Sequence, residues 1–236
     1  MSATRTLIAA ATPARPPHRP NRLLRAGLLA GPLFVAALLV EQAFRDGYDP
    51  MRHPVSSLAL GPTGWTQIVN FLVAGVLCLA FAVGLRRALR PGPGAAAAPL
   101  LLAVWAVGLL GAGVFSTDPV GGYPAGTPLA PAPPTWHGRL HDVAFSLPGF
   151  VALIAAMFVL AYAYARRRTR IWSAYSALSG IATLTLFTLT TIGFAQVGPF
   201  AATAGLLQRL TVTVGWLWLA LIAARETRAD RSPQRP

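Results

Sequence analysis

Three histidines, two aspartates and a serine are the residues here whose types suit chemistry. The stretch TWHGRLHD (135–142) holds His137 and His141, four apart, with Arg139 and Asp142. On an α-helix such a pair shares one face at roughly 6 Å, the spacing at which two imidazoles ligate one metal ion. A third ligand must come from elsewhere, and His53 or Asp118 are the candidates. Zinc suits that N/O donor set, with an open position for water if the site is catalytic. Asp142 is a candidate catalytic carboxylate, with capping or pairing as the alternative. Ser56 follows His53 by three residues, which raises nucleophilic catalysis, although no nucleophile-elbow pattern is present and an N-cap is the commoner explanation of a serine there.

One further charge stands out. Arg209 lies about eight residues into an apolar run, roughly 12 Å along a helix. A charge at such depth costs at least ~2.5 kcal/mol if it reaches the helix centre. It is therefore expected to face the interior and pair with Glu41, Asp118 or Asp142.

The elements that must carry these residues are read from composition. Of 236 residues, 54% are hydrophobic and 11% charged, against about 25% charged in a soluble domain. Apolar runs reach about 20 residues, enough to cross a roughly 30 Å hydrocarbon core. The expected fold class is all-α: a polytopic membrane bundle of six transmembrane helices near 23–44, 65–85, 96–115, 136–165, 171–195 and 201–224. Pro148 is the expected kink in the fourth. Residues 1–22 read as a disordered basic tail, 23–224 as the membrane domain and 225–236 as a polar tail. The N-terminus does not read as a cleavable signal, because the apolar stretch 7–11 is too short. Cys78 is the sole cysteine, so neither an internal disulfide nor a cysteine metal site is available.

The net charge is +13, and all 20 basic residues are arginine. Sixteen of them fall on one side of the alternating spans, which places both termini in the cytoplasm. Clusters at the ends of apolar runs are a topology signal, so the expected partner is a lipid bilayer at the cell membrane and not nucleic acid. The other polar residues favour the opposite side, where Glu41, Asp46, Asp49, His53, Ser56, Asp118, His137, His141, Asp142, Gln208 and Arg209 all fall; the cytoplasmic side holds almost nothing but arginine. The Pro/Gly-rich loop 120–134 is expected to be exposed and mobile.

Five separated segments also resemble a known family: HPVSSLALGPTGW (53–65), NFLVAGVLCLAFAVGLRRAL (70–89), FSTDP (115–119), HGRLHD (137–142) and LLQRL (206–210). They are similar to motifs of the bacterial and archaeal membrane proteins grouped as domain of unknown function 998, over about residues 28–224. The resemblance implies a six-span membrane protein with no assigned activity, and it carries no catalytic residues. A looser likeness exists to membrane hydrolases that gather Ser, Asp and three His around zinc, in residue type only.

The functional expectation is a polar His/Asp/Arg cluster at the extracytoplasmic face. It would serve a metal-dependent hydrolase of a lipid or amide. The alternatives are a small-solute transporter or permease-like protein, and a non-catalytic accessory protein. Whether Ser56, His53, Asp118, His137, His141, Asp142, Glu41 and Arg209 converge is a question for the tertiary structure.

Overall fold

A computed structural model describes residues 21–129 and 132–231. Six helices in it are long and apolar enough to cross a membrane. They are α1 (Leu24–Ala43), α2 (Trp65–Leu89), α3 (Ala97–Val114), α4 (Trp136–Arg166), α5 (Arg170–Phe194) and α6 (Ala204–Arg231). Short 3₁₀ turns, Val55–Ala59 and Gly198–Thr203, lie in the loops before α2 and α6. The expected basic tail falls outside the described residues except for 21 and 22. Residues 232–236 of the expected polar tail do so too.

Each helix packs on its neighbours in sequence, and α6 closes the ring against α1. Short connections make consecutive helices antiparallel neighbours, and an even number of spans puts both ends of the chain at one end of the ring. The interior is filled by Phe34, Phe81, Trp105, Met157, Leu160, Trp216 and Trp218. Leu100, Ile171, Leu178 and many other large apolar side chains face outward. A water-soluble fold avoids so extensive an exposed apolar surface; a bilayer solvates it.

Several polar groups inside this ring are paired across helices, as an apolar solvent favours. Trp218 donates to Ser176 Oγ at 3.2 Å, tying α6 to α5. Asn70 donates to the Phe34 carbonyl at 3.2 Å, tying α2 to α1.

Two expectations change here. α6 runs through Arg231, so 225–231 is helix and part of the bundle. The end of the ring that holds the termini also has more than arginine. Glu226 is buried there, ion-paired with Arg225 and accepting a 2.8 Å hydrogen bond from the Tyr164 hydroxyl, while the Arg225 guanidinium lies 4.3 Å from the Tyr164 ring centre. Near Pro148, where a kink is expected, the helix changes type: Leu140–Ser146 is a π-helical stretch, and Pro148 lies in the first turn of the regular helix that begins at Leu147. Proline lacks an N–H and tolerates the first turn of a new helical segment. π-turns that interrupt α-helices are frequent at functional sites.

Candidate functional site

Arg209 sits where α6 meets the loop after α1, and its partners are not the expected carboxylates. Its Nε donates to Gln42 Oε1 at 3.0 Å and one Nη2 hydrogen goes to the Tyr48 hydroxyl at 2.6 Å. Nη1 donates to the carbonyls of His53 at 3.2 Å and Gly205 at 2.9 Å. Neither Glu41, Asp118 nor Asp142 pairs with it among the described residues. The reason is the fork geometry of a guanidinium, which matches several oxygens in different directions. Four neutral oxygens disperse the charge without burying a second ion, whose desolvation often outweighs the Coulombic gain. Tyr48 in turn donates to the Pro54 carbonyl at 2.9 Å. Burial pushes its phenol pKa up, against the pull of the Arg209 charge. Gln208 accepts from the Val55 N–H at 2.7 Å, and Met51 accepts from the Leu206 N–H at 3.1 Å. The first turns of α6 are thus stitched to the 48–55 loop. Glu41 stands apart, with Oε2 buried and without a hydrogen bond among the described residues.

His53 belongs to this same loop, and its tautomer follows from its partners. The Asp49 backbone N–H donates to Nδ1 at 2.8 Å, so Nδ1 carries no proton. Nε2 lies 3.2 Å from the Gly121 carbonyl, which only accepts, so Nε2 is the protonated nitrogen. Both ring nitrogens are committed, and neither has a lone pair to offer a metal or Ser56. Gly121 and the buried Tyr123 belong to the 120–134 loop, and Tyr123 packs against Tyr48 and His53 at 5.2 and 5.1 Å between ring centres. The start of that loop is therefore anchored, contrary to the expectation of exposure. Its aromatic residue finds a pocket that composition could not show.

Burial lowers the His53 pKa, against the Gly121 hydrogen bond and the nearby Asp49 charge. A depressed folded-state value means the neutral arrangement stabilises the protein above the ordinary histidine range near ~6.5. That contribution is lost as pH falls through the lowered value. Thermal unfolding followed between about pH 7.5 and 5 should show wild type losing stability relative to His53→Gln on acidification. Parallel curves for the two proteins would refute the assignment.

Asp118 and His137 meet through Thr135, the N-cap of α4. Asp118 accepts from the Thr135 N–H at 2.9 Å and from its hydroxyl at 2.7 Å. The hydroxyl accepts from the Gly138 N–H at 3.1 Å. With its single proton given to Asp118, it must accept again from His137 Nδ1 at 2.8 Å. A Cβ at position 138 would overlap Asp118 Oδ2, so glycine there lets the carboxylate sit over the helix start. This is a capping arrangement with the favourable sign for the helix dipole.

His141 turns the other way. It is 2% exposed, and its Nδ1 donates to the Phe115 carbonyl at 2.8 Å. The HxxxH pair therefore splits: His137 folds back onto the cap, and His141 enters the π-helical turn and faces the interior. Among the described residues no three His, Cys, Asp or Glu side chains are grouped so as to hold a metal. The set of His53, Asp118, His137 and His141 is distributed over three separate hydrogen-bond systems.

What the fold does bring together is a cavity of about 370 Å³ at the end of the ring away from the termini. All six helices contribute to its wall. Phe34, Phe71, Trp105, Phe150, Phe187 and Trp216 line its interior; Ser56, Thr117, His141, Asp142, Thr190 and Gln208 supply its polar groups. Its volume is within the roughly 300–1,000 Å³ typical of small-molecule sites. Three of the expected residues, Ser56, His141 and Asp142, share this cavity. Tyr48, Tyr123, Gln42 and Thr135 are not legible as partners from sequence, because nothing local distinguishes a tyrosine that receives an arginine from one that only packs. The one sequence signal for the cavity is the offset of polar and aromatic residues within α4 and α6, where His141 and Asp142 precede Phe150 and Gln208 precedes Trp216.

A family described as "Protein of unknown function (DUF998)" matches residues 28–225. No curated protein and no solved structure matches the chain.

Proposed function

The chain belongs to this DUF998 family of multi-span membrane proteins, and we propose that it binds an amphipathic small molecule or lipid in the cavity of its helix ring. The carrying observation is the cavity's segregated wall: an aromatic interior and a rim bearing Ser56, His141, Asp142 and Gln208. Apolar pockets with a few convergent polar groups are the usual form of ligand sites. The arginine distribution supports a cell-membrane orientation with cytoplasmic termini and an extracytoplasmic cavity.

Binding, as in a permease or carrier, fits this geometry better than hydrolysis. Nucleophilic catalysis needs a nucleophile within hydrogen-bond reach of its base, and Ser56 makes no hydrogen bond to a histidine among the described residues. The metal-water route loses support with the dispersal of the four ligand candidates.

Ala112 lines the cavity and is itself buried, so Ala112→Phe fills the space with a ring. Native mass spectrometry of wild type released gently from detergent should show a retained amphiphile. Ala112→Phe should retain at least roughly tenfold less, equivalent to about 1.4 kcal/mol of binding. Equal retention in a variant that unfolds like wild type sinks the proposal. Ala112→Leu, a smaller filling, gives an intermediate loss if the larger ring impairs folding.

A further inference from the structure

The rim of this cavity has a sign, and any ligand preference drawn from that sign rests on the cavity being a binding site. His141 Nδ1 faces a carbonyl, which only accepts, so Nδ1 holds the ring proton. Nε2 makes no hydrogen bond among the described residues, and in the neutral ring it is an acceptor. Asp142 Oδ1 lies 4.0 Å from it, too far for a hydrogen bond between the two. The Asp142 side chain remains 61% exposed, so its carboxylate is open to a partner. Two acceptors thus stand side by side with a gap between them. A nitrogen placed at about 2.8 Å from each would see them at an angle of roughly 90°, close to the tetrahedral directions of an ammonium.

One wall hydroxyl fits the same sense, whereas Gln208, its Oε1 accepting from the Val55 N–H at 2.7 Å, keeps a donor amide. Thr191 gives its proton to the Phe187 carbonyl at 2.9 Å, leaving lone pairs on the cavity wall. Among the described residues no arginine lines the cavity, and Arg209, the nearest candidate on α6, is committed to the loop. A carboxylate or phosphate would find no cation there. The π-helical turn is what places His141 and Asp142 together on the wall.

We infer that the cavity's ligand carries a primary ammonium at its polar end, seated between His141 Nε2 and the Asp142 carboxylate, with its apolar chain among Phe34, Phe71, Trp105 and Trp216. The same chemistry is offered by a free long-chain amine and by an ethanolamine lipid headgroup.

The full chain in nanodiscs of phosphatidylcholine, a lipid without a primary amine, tests this. Chain-brominated dodecylamine and dodecanoate are titrated while quenching of tryptophan fluorescence is followed; Trp105 and Trp216 report from the cavity. The amine should reach half-quenching at a concentration at least roughly tenfold lower than the carboxylate, as a charge-assisted hydrogen bond implies. Asp142→Asn should abolish that preference, and Asp142→Glu should restore most of it. Doping the discs with phosphatidylethanolamine distinguishes the sources: a raised half-point for the amine supports the lipid headgroup, and an unchanged one supports a free amine. Equal quenching by amine and carboxylate, or an amine preference that survives Asp142→Asn, overturns the ammonium and leaves the cavity standing. Failure of both probes to quench overturns the binding site and the ammonium together.

Discussion

Arg209→Met should lower the thermal unfolding midpoint in detergent by roughly 6–12 °C, corresponding to about 3 kcal/mol. The guanidinium serves Gln42 Oε1, the Tyr48 hydroxyl and the carbonyls of His53 and Gly205. Methionine fills comparable volume and donates to none of them. Gln42 Oε1 then loses its donor at about 1–3 kcal/mol, and the Tyr48 hydroxyl and the Gly205 carbonyl lose one each, while the His53 carbonyl keeps the Tyr48 hydroxyl at 3.3 Å; the loss is offset in part by the charge no longer buried. Arg209→Lys should recover less than half of the loss, because one ammonium cannot reach acceptors spread around a planar fork. A midpoint for Arg209→Met within about 2 °C of wild type would show that this network does not hold the loop to α6.

Gly205→Ala should be nearly as damaging, at about 2–3 kcal/mol, for a steric reason at the same corner. An added Cβ would stand 2.6 Å from the Pro50 oxygen, 2.7 Å from the His53 oxygen and 3.0 Å from the Arg52 carbonyl carbon. All three are backbone atoms, so no rotamer change relieves them; the 50–53 segment must move. That segment is also held by the Leu206 N–H on the Met51 carbonyl and by Arg209 on the His53 carbonyl. Limited proteolysis should cut the 45–64 loop faster in Gly205→Ala. Gly215→Ala is the control, since its Cβ would meet only the flexible end of Leu153 at 3.1 Å. The double variant with Arg209→Met should lose less than the sum of the two, because both release one loop. Full additivity would mean that the two residues act on different parts of the fold.

The fates of single residues separate what is local from what is not. The six spans are legible from apolar run lengths, with α1 and α3 ending within a residue or two of expectation. From sequence α6 looks shorter than it is, because Arg225, Glu226 and Arg228 resemble a solvated tail. In fact Glu226 is buried against Tyr164, sixty-two positions away. The inward turn of Arg209 is legible, since a charge in an apolar helix has few alternatives. Its partners are not: Gln42 lies 167 positions away, and a neutral amide carries no obvious claim on a cation. Topology groups Asp118 with the histidines, and it does reach His137, but through Thr135 as a helix cap.

TWHGRLHD shows the division most clearly. A four-residue spacing predicts a shared face only while the helix keeps its α period. The π-helical stretch Leu140–Ser146 breaks that period, and each histidine goes to a different partner. By itself the sequence determined the membrane helices, their number and the end of the bundle that gathers polar groups. Those properties depend on backbone hydrogen bonds within a segment and on apolar length, both local quantities. Only the tertiary structure decided that Ser56, His141 and Asp142 face one cavity while His53, Asp118 and His137 serve loops and caps. That choice lies in packing between segments apart in the chain: the end of α3 against the start of α4 places Asp118, His137 and His141, and the loop at Gly121 places His53.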